Sequence, residues 1–243
     1  MRILVIAPHN DDEVLGVGGT IGAYAKAGHE VVVCEVTAGE LDDPMVQLQK
    51  REAKKSHEIL GVSRTVFMDL PVVGLKEMPT REINAQFLET IHEIDPEIVF
   101  LPHKGDMHVD HRSVIEASMV ALRPVSCPNI KGIYAYETLS ETDWNTPSVD
   151  NAFIPTVYSN ITETIELKLA AMKCHESQLC EYPHPRSLEA IKALAMHRGS
   201  TICVPYAEAF VNIREVIGGG AEWLSKSPIF TLMYDFADCE VAA

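Results

Sequence analysis

RILVIAPHNDDEVLGVGGT, residues 2–20, carries the transition that decides the fold. Residues 2–7 are continuously apolar after Arg2 and rich in branched side chains, the pattern of a strand buried on both faces. The polar PHNDDE at 8–13 follows at once. A helix-like stretch from about Val14 to Lys26 comes next, and Gly28 stands where a helix C-cap would.

The same alternation repeats downstream. Residues 30–36 (EVVVCEV) read as a second strand, and a polar loop at 37–45 leads into a helix from about Val46 to Leu60, stopped by Gly61. Residues 64–68 predict a third strand and 80–94 a helix. Residues 97–101 predict a fourth strand that Pro102 ends, Ser113 to Leu122 another helix, and 131–136 a further strand. Strands alternating with helices of this length imply βαβ units with right-handed crossovers. The expected fold is α/β: a Rossmann-like, doubly wound, mostly parallel sheet with helices on both faces.

The second half is less regular. Two helices, at about 163–174 and 186–197, and a short terminal segment are expected to pack around the sheet edge. Pro147, Pro155, Pro183 and Pro185 mark loops there rather than a boundary. No repeat or low-complexity tract is present, so a single domain over 1–243 is expected.

Composition narrows the function classes. The hydrophobic fraction of 47% and charged fraction of 23% are those of an ordinary globular protein. The formal charge is 20 − 35 = −15, without the basic stripe that binding to nucleic acid requires. No run of eighteen apolar residues occurs, so no membrane insertion is expected. The strand-like segment starts directly after Met1 with no basic, apolar leader, which leads to the expectation of a cytoplasmic protein. The six cysteines, at 34, 127, 174, 180, 203 and 239, contain no CxxC pair and are expected to be reduced thiols.

In open parallel sheets, ligands bind beyond the carboxyl ends of the strands. Two of the loops there are dense in metal-binding side chains: PHNDDE at 8–13 and HKGDMHVDH at 103–111. Catalytic zinc takes three imidazole or carboxylate ligands and keeps an open position for water. His9 and Asp12 stand three apart across a strand-to-helix turn, and His111 can enter from the neighbouring loop as third ligand. Asp11 should project differently from Asp12, towards a bound water. His108, three residues before His111, could stabilise an oxyanion or protonate a leaving amine, and Asp110 could orient an imidazole. The competing reading of AspAspGlu is a helix N-terminus with a capping Asp and an acidic first turn.

At these residues the sequence resembles the LmbE/PIG-L family of zinc-dependent N-deacetylases. The family's AHPDDE signature and Gly-rich helix start match PHNDDEVLGVGGT at 8–20, and its HPDH signature matches HVDH at 108–111. The likeness runs on through TAGE (37–40), RE (51–52), LGV (60–62), YE (136–137), HESQ (175–178) and the closing RG…AEAF (198–210). The departures, Pro8, Asn10 and Val109, fall on no ligand. The resemblance implies one Zn2+ per chain, with iron(II) as an alternative, on His9, Asp12 and His111. It implies Asp11 as general base, His108 as the imidazole assisting oxyanion and leaving group, and Asp110 as that histidine's partner. It also implies a small-molecule sugar amide of N-acetylglucosamine type as substrate and, since related enzymes are often symmetric assemblies, a homo-oligomer.

Other residues keep two readings each. His103 and Glu137 lie at strand ends facing the same crevice; Arg51 and Glu52 either reach the pocket or pair on their helix. His175 and Gln178 are one helical turn apart, in packing or in catalysis. Glu40, Asp42 and Asp43 either touch sugar hydroxyls or are solvated. Glycines 16, 18, 19 and 22 do not satisfy GxGxxG, which argues against a dinucleotide site. Rival functions are an amidase acting on a larger conjugate, a non-haem iron enzyme with two histidines and a carboxylate, and a non-catalytic metal-binding module.

Overall fold

The computed structural model describes residues 1–218; Cys239 and the end of the terminal segment lie outside them. In chain order the elements are β1 (Arg2–Ala7), α1 (Asp12–Lys26), β2 (Glu30–Ala38), α2 (Pro44–Leu60), β3 (Arg64–Pro71), α3 (Thr80–Ile94), β4 (Ile98–Pro102) and α4 (Val109–Ala121). There follow β5 (Gly132–Tyr136), β6 (Val157–Asn160), α5 (Ile165–Met172), α6 (Leu188–Thr201) and β7 (Ala207–Glu215).

The strands form one sheet in the order β3-β2-β1-β4-β5-β7-β6. β1 pairs parallel with β2 and β4, β2 with β3, and β4 with β5. The sequence therefore winds one way from β1 to β3 and the other way from β1 to β5. The switch point falls between β1 and β4, where a crevice opens at the strands' carboxyl ends. The two metal-rich loops flank that crevice. The doubly wound expectation is met.

Local chemistry sets the element ends. α2 begins two residues before the expected Val46, because Pro44 occupies its first turn and the Asp43 carboxylate accepts from Met45 N at 2.8 Å. Gly61 ends it in the left-handed conformation, φ 77°. α4 begins at Val109 rather than Ser113, with His108 as its N-cap.

The terminal segment does more than pack at the edge. β7 lies inside the sheet, antiparallel to both β5 and β6. From it the buried Glu208 accepts hydrogen bonds from Gly19 N (2.9 Å) and Thr20 N (2.8 Å), in the middle of α1. Buried Lys168 of α5 donates to Glu208 (2.6 Å) and to Leu15 O (2.8 Å). Two apolar layers, one on each face, complete the core. One gathers Leu4, Val32, Phe87 and Leu101; the other Val5, Leu15, Tyr136 and Phe210. The Gly-rich start of α1 belongs to the second. A Cβ on Gly16 would lie 2.2 Å from Tyr136 Cδ2, so this glycine lets the buried tyrosine close on the helix.

Candidate metal centre and active-site pocket

Three donor atoms converge at the switch point. Asp12 Oδ2 lies 3.2 Å from His9 Nδ1 and 3.1 Å from His111 Nε2. Neighbouring ligands around a tetrahedral ion with bonds of about 2.0–2.2 Å stand about 3.4 Å apart, close to the two separations from Asp12, and all three donor atoms lie within 4.8 Å of one another. His111 Nε2 and Asp12 Oδ1 are buried without a hydrogen-bond partner among the described residues, which is costly unless something else fills the position. Each imidazole is also held from behind. His111 Nδ1 lies 2.8 Å from Asp106 Oδ2, and His9 Nε2 3.2 Å from Asp110 Oδ2. A carboxylate on the far nitrogen fixes the tautomer that turns a lone pair towards the shared point. The donor set fits a divalent ion.

Electrostatics agree with geometry. Burial drives the His9 and His111 pKa values down, but the surrounding carboxylates win and raise them to about 9 and about 10. Burial likewise pushes Asp12 up, and the two histidines overcome it, leaving Asp12 well below the usual range. This pocket attracts positive charge.

Asp11 stands at the N-cap position of α1, yet its carboxylate makes no capping bond. It turns instead to Arg186, whose Nη1 lies 3.1 Å from Asp11 Oδ2. The capping explanation of the AspAspGlu run therefore does not account for Asp11. Burial raises the Asp11 pKa, with Arg186 opposing. Arg186 is itself clamped: Nε donates to Ser140 Oγ (3.0 Å), Nη1 to Gln178 Oε1 (3.1 Å), and Glu141 Oε1 lies 3.6 Å from Nη2.

His108 Nδ1 accepts from Asp110 N at 3.2 Å, which leaves the ring proton on Nε2. Burial and then the neighbouring His9 pull its pKa down to about 4, so at neutral pH it is an uncharged donor. Asp110 does orient an imidazole, but that of His9: the His108 Nδ1–Asp110 Oδ2 separation is 3.8 Å. Val73 N donates to the same oxygen at 2.8 Å. Val73 is a β-branched residue at φ 61°, a strained position held by this bond beside the site.

These groups border a cavity of about 390 Å³ lined by His9, Asp11, Thr37, His108, Gln178 and Arg186, among others. A wider recess of about 820 Å³ lies at the opposite, amino-terminal ends of the strands. There Arg2 is paired with Glu30, Lys131 with Glu97, and Asp95 accepts from Asn129.

The remaining readings separate. His103 Nε2 meets Asn151 O at 3.1 Å, a structural contact. Glu137 is held by Arg198 at 2.6 Å, and Glu52 accepts from Ser177. Arg51 is exposed. Gln178 reaches the pocket; His175 is buried away from it. Asp43 caps α2, while Glu40 and Asp42 are exposed. The five cysteines among the described residues are unpaired, and none of the helices described is long and apolar enough to cross a membrane. Asp106, Glu141 and Arg186 had no place in the sequence-based site. Asp106 sits inside the 103–111 run and was legible there, five residues before His111. Nothing local marks Arg186.

Comparison with known proteins follows the same geometry. The family model for GlcNAc-PI de-N-acetylase (PIG-L) matches residues 4–122, from β1 to the end of α4, and so spans both loops. The diacetylchitobiose deacetylase of Thermococcus kodakarensis is 29% identical over 224 residues, covering 85% of this chain and 81% of the relative. The uncharacterized deacetylase YaiS of Escherichia coli K12 is 30% identical over 180 residues, covering 72% of this chain and 90% of the relative. Among solved structures, the conserved protein TT1542 from Thermus thermophilus aligns with a TM-score of 0.72 and 26% identity, over 89% of this chain and 96% of that one.

Proposed function

From the premise that the chain belongs to the PIG-L family, we propose that it is a zinc-dependent hydrolase that removes the acetyl group from an N-acetylglucosamine-type sugar or sugar conjugate. The observation that carries the reading is the meeting of His9, Asp12 and His111 donors beside an Asp11 carboxylate that neither caps its helix nor joins the triangle. His9, Asp12 and His111 would hold the ion. Bound there, it would polarise the acetamide carbonyl and lower the pKa of a water towards 7.

The chain's own groups supply the proton transfers. The Asp11 carboxylate lines the cavity, with the Arg186 guanidinium 3.1 Å from its Oδ2. It takes a proton from the attacking water as the oxygen bonds to the carbonyl carbon. His108 Nε2–H donates to the oxyanion that develops, a role suited to a neutral imidazole fixed by its Nδ1 bond. As the C–N bond breaks, the proton held by Asp11 passes to the leaving nitrogen, giving acetate and a free amine.

The test is acetate release from a panel of N-acetylglucosamine derivatives by zinc-loaded protein, with Asp11→Ala measured alongside. The expected outcome is turnover of at least one derivative, and a fall of about 10²–10⁴ in kcat for the variant with metal retained. A wild-type protein that carries metal yet releases no acetate from any of them sinks the acetyl-sugar assignment in favour of an amidase for larger conjugates.

A further inference from the structure

Behind the first turn of α1 lies a second convergence of ligand-type side chains, none of which lines the pocket. Glu13 follows Asp12 in the helix, Glu35 is on β2, and His57 and His175 come from α2 and the segment after α5. All four are at most 3% exposed. His57 Nε2 lies 3.1 Å from Glu13 Oε1 and 3.4 Å from Glu35 Oε1, and His175 Nε2 lies 3.9 Å from Glu13 Oε1.

The hydrogen bonds do not balance here. His57 Nδ1 is engaged by Thr65 Oγ1 at 2.7 Å, so only Nε2 turns towards the two carboxylates. Glu13 Oε2, both oxygens of Glu35 and both ring nitrogens of His175 are buried with no hydrogen-bond partner among the described residues. One imidazole edge cannot serve two buried carboxylates, and a buried unpaired carboxylate is among the costliest groups a core can hold. Burial pulls the His57 pKa down, but Glu13 and Glu35 win and raise it to about 10, so a single imidazolium faces two buried carboxylates and the cluster is one positive charge short. Glu35 shows the consequence: burial and then the nearby Glu13 push its pKa well above the ordinary carboxylate value.

The distances say what would supply that charge. Separations of 3.1 and 3.4 Å match the edge of about 3.4 Å expected around a tetrahedral ion bound by nitrogen and oxygen. The Thr65 contact on the other nitrogen of His57 plays the orienting part that carboxylates play for His9 and His111. We propose that Glu13, Glu35 and His57, with His175 beside them, form a second, fully buried site for a divalent cation that prefers nitrogen and oxygen ligands, structural rather than catalytic. The site clamps α1, β2 and α2 together behind the pocket. It is closed, without an open position for substrate, which is the mark of a structural rather than a catalytic metal. It requires nothing of the reaction at the upper site.

The probe is zinc. Protein dialysed against buffered zinc is expected to hold two ions per chain by mass spectrometry, and crystals taken at the zinc edge to show a second anomalous peak between Glu13, Glu35 and His57. Asp12→Asn, which disarms the upper site, should keep one ion and keep the zinc-induced rise in Tm; the isosteric Glu35→Gln should also keep one ion, with its peak at the upper site only. An absent peak at the Glu13–Glu35–His57 position in wild-type crystals overturns the proposal, whatever the upper site holds. So does a second ion that survives Glu35→Gln. Failure of the upper metal reading is separate: it removes the peak at His9, Asp12 and His111 and leaves this one.

Discussion

The two halves of the sheet are built on different logic. In the parallel half, β1 to β4, each strand hands its chain to a loop at the same edge, so neighbours in sequence become neighbours at the site. His9, Asp11 and Asp12 come from one such loop and His108, Asp110 and His111 from another. In the half that holds β5, β6 and β7, residues act one at a time and from far away in sequence. Tyr136 packs on Gly16, Lys168 and Glu208 engage the middle of α1, and Arg186 grips Asp11. The first half supplies the proposed reactive groups; the second supplies the contacts that fix where α1 begins and how Asp11 is held. If this division is right, variants in the distal half should damage stability or geometry without touching a metal donor.

The strongest test is Lys168→Met. It strands the buried Glu208 carboxylate and the Leu15 carbonyl together, and breaking a buried pair this way costs about 3–5 kcal/mol. Urea unfolding should show that loss. A double-mutant cycle with Glu208→Gln should show coupling of about 0.5–3 kcal/mol. A loss within ordinary surface scatter would mean the antiparallel half does not brace α1, and the comparison would fail at its base.

Arg186→Gln comes next. Hydrogen bonds to charged groups contribute about 1.5–3 kcal/mol, so kcat/KM should fall about 10–150-fold, carried by kcat, with metal content unchanged. Arg186→Lys should recover little, because a point charge cannot reach Ser140, Gln178 and Asp11 at once. The counterpart in the parallel half is Asp106→Asn. There the expected loss is about 10–100-fold in metal affinity, read by competition with a chelator, with Asp11 chemistry intact once metal is saturating. Opposite signatures, one in kcat and one in affinity, would sharpen the division; the same signature in both would erase it.

The unequal legibility of the halves has the same origin. β1 and the HNDD turn follow from a continuous apolar run meeting a polar cluster, and both signals lie within a dozen residues. β7 gave no such signal. Its first four residues are buried on both faces and its last five are mostly part-exposed, so neither a continuous run nor a clean alternation appears. β6 has only four residues. The displaced start of α4 has a local cause that was available: His108 is a side-chain acceptor two residues before the N–H it caps. Arg186 was not available at all. It sits 175 positions from Asp11, after Pro183 and Pro185, and the packing of α6 against β7 and α5 brings it back.

The smallest expected effects are at two helix caps, and they put one structural device in each half under the same load. Asp43 caps α2 through Met45 N at 2.8 Å, and Ser187 caps α6 through Ala190 N at 3.2 Å. Removing either side chain leaves an orphan N–H and costs about 1 kcal/mol. In a chain of this size that is a fall of about 2–4 °C in Tm. The energies are alike, but the functional cost should not be. Asp43 precedes a helix whose first turn is already set by Pro44, so Asp43→Ala should lower Tm while Asp43→Asn, which still caps, restores it; a fall in KM-dependent turnover in both variants would instead mark Asp43 as a sugar contact. Ser187 immediately follows Arg186, and its cap fixes the backbone from which the guanidinium reaches Asp11. Ser187→Ala should therefore lose several-fold in kcat on top of the same shift in Tm. Equal activity in the two Ala variants would mean that Arg186 is held by its side-chain clamps alone, and that the distal half contributes its arginine but not the helix start behind it.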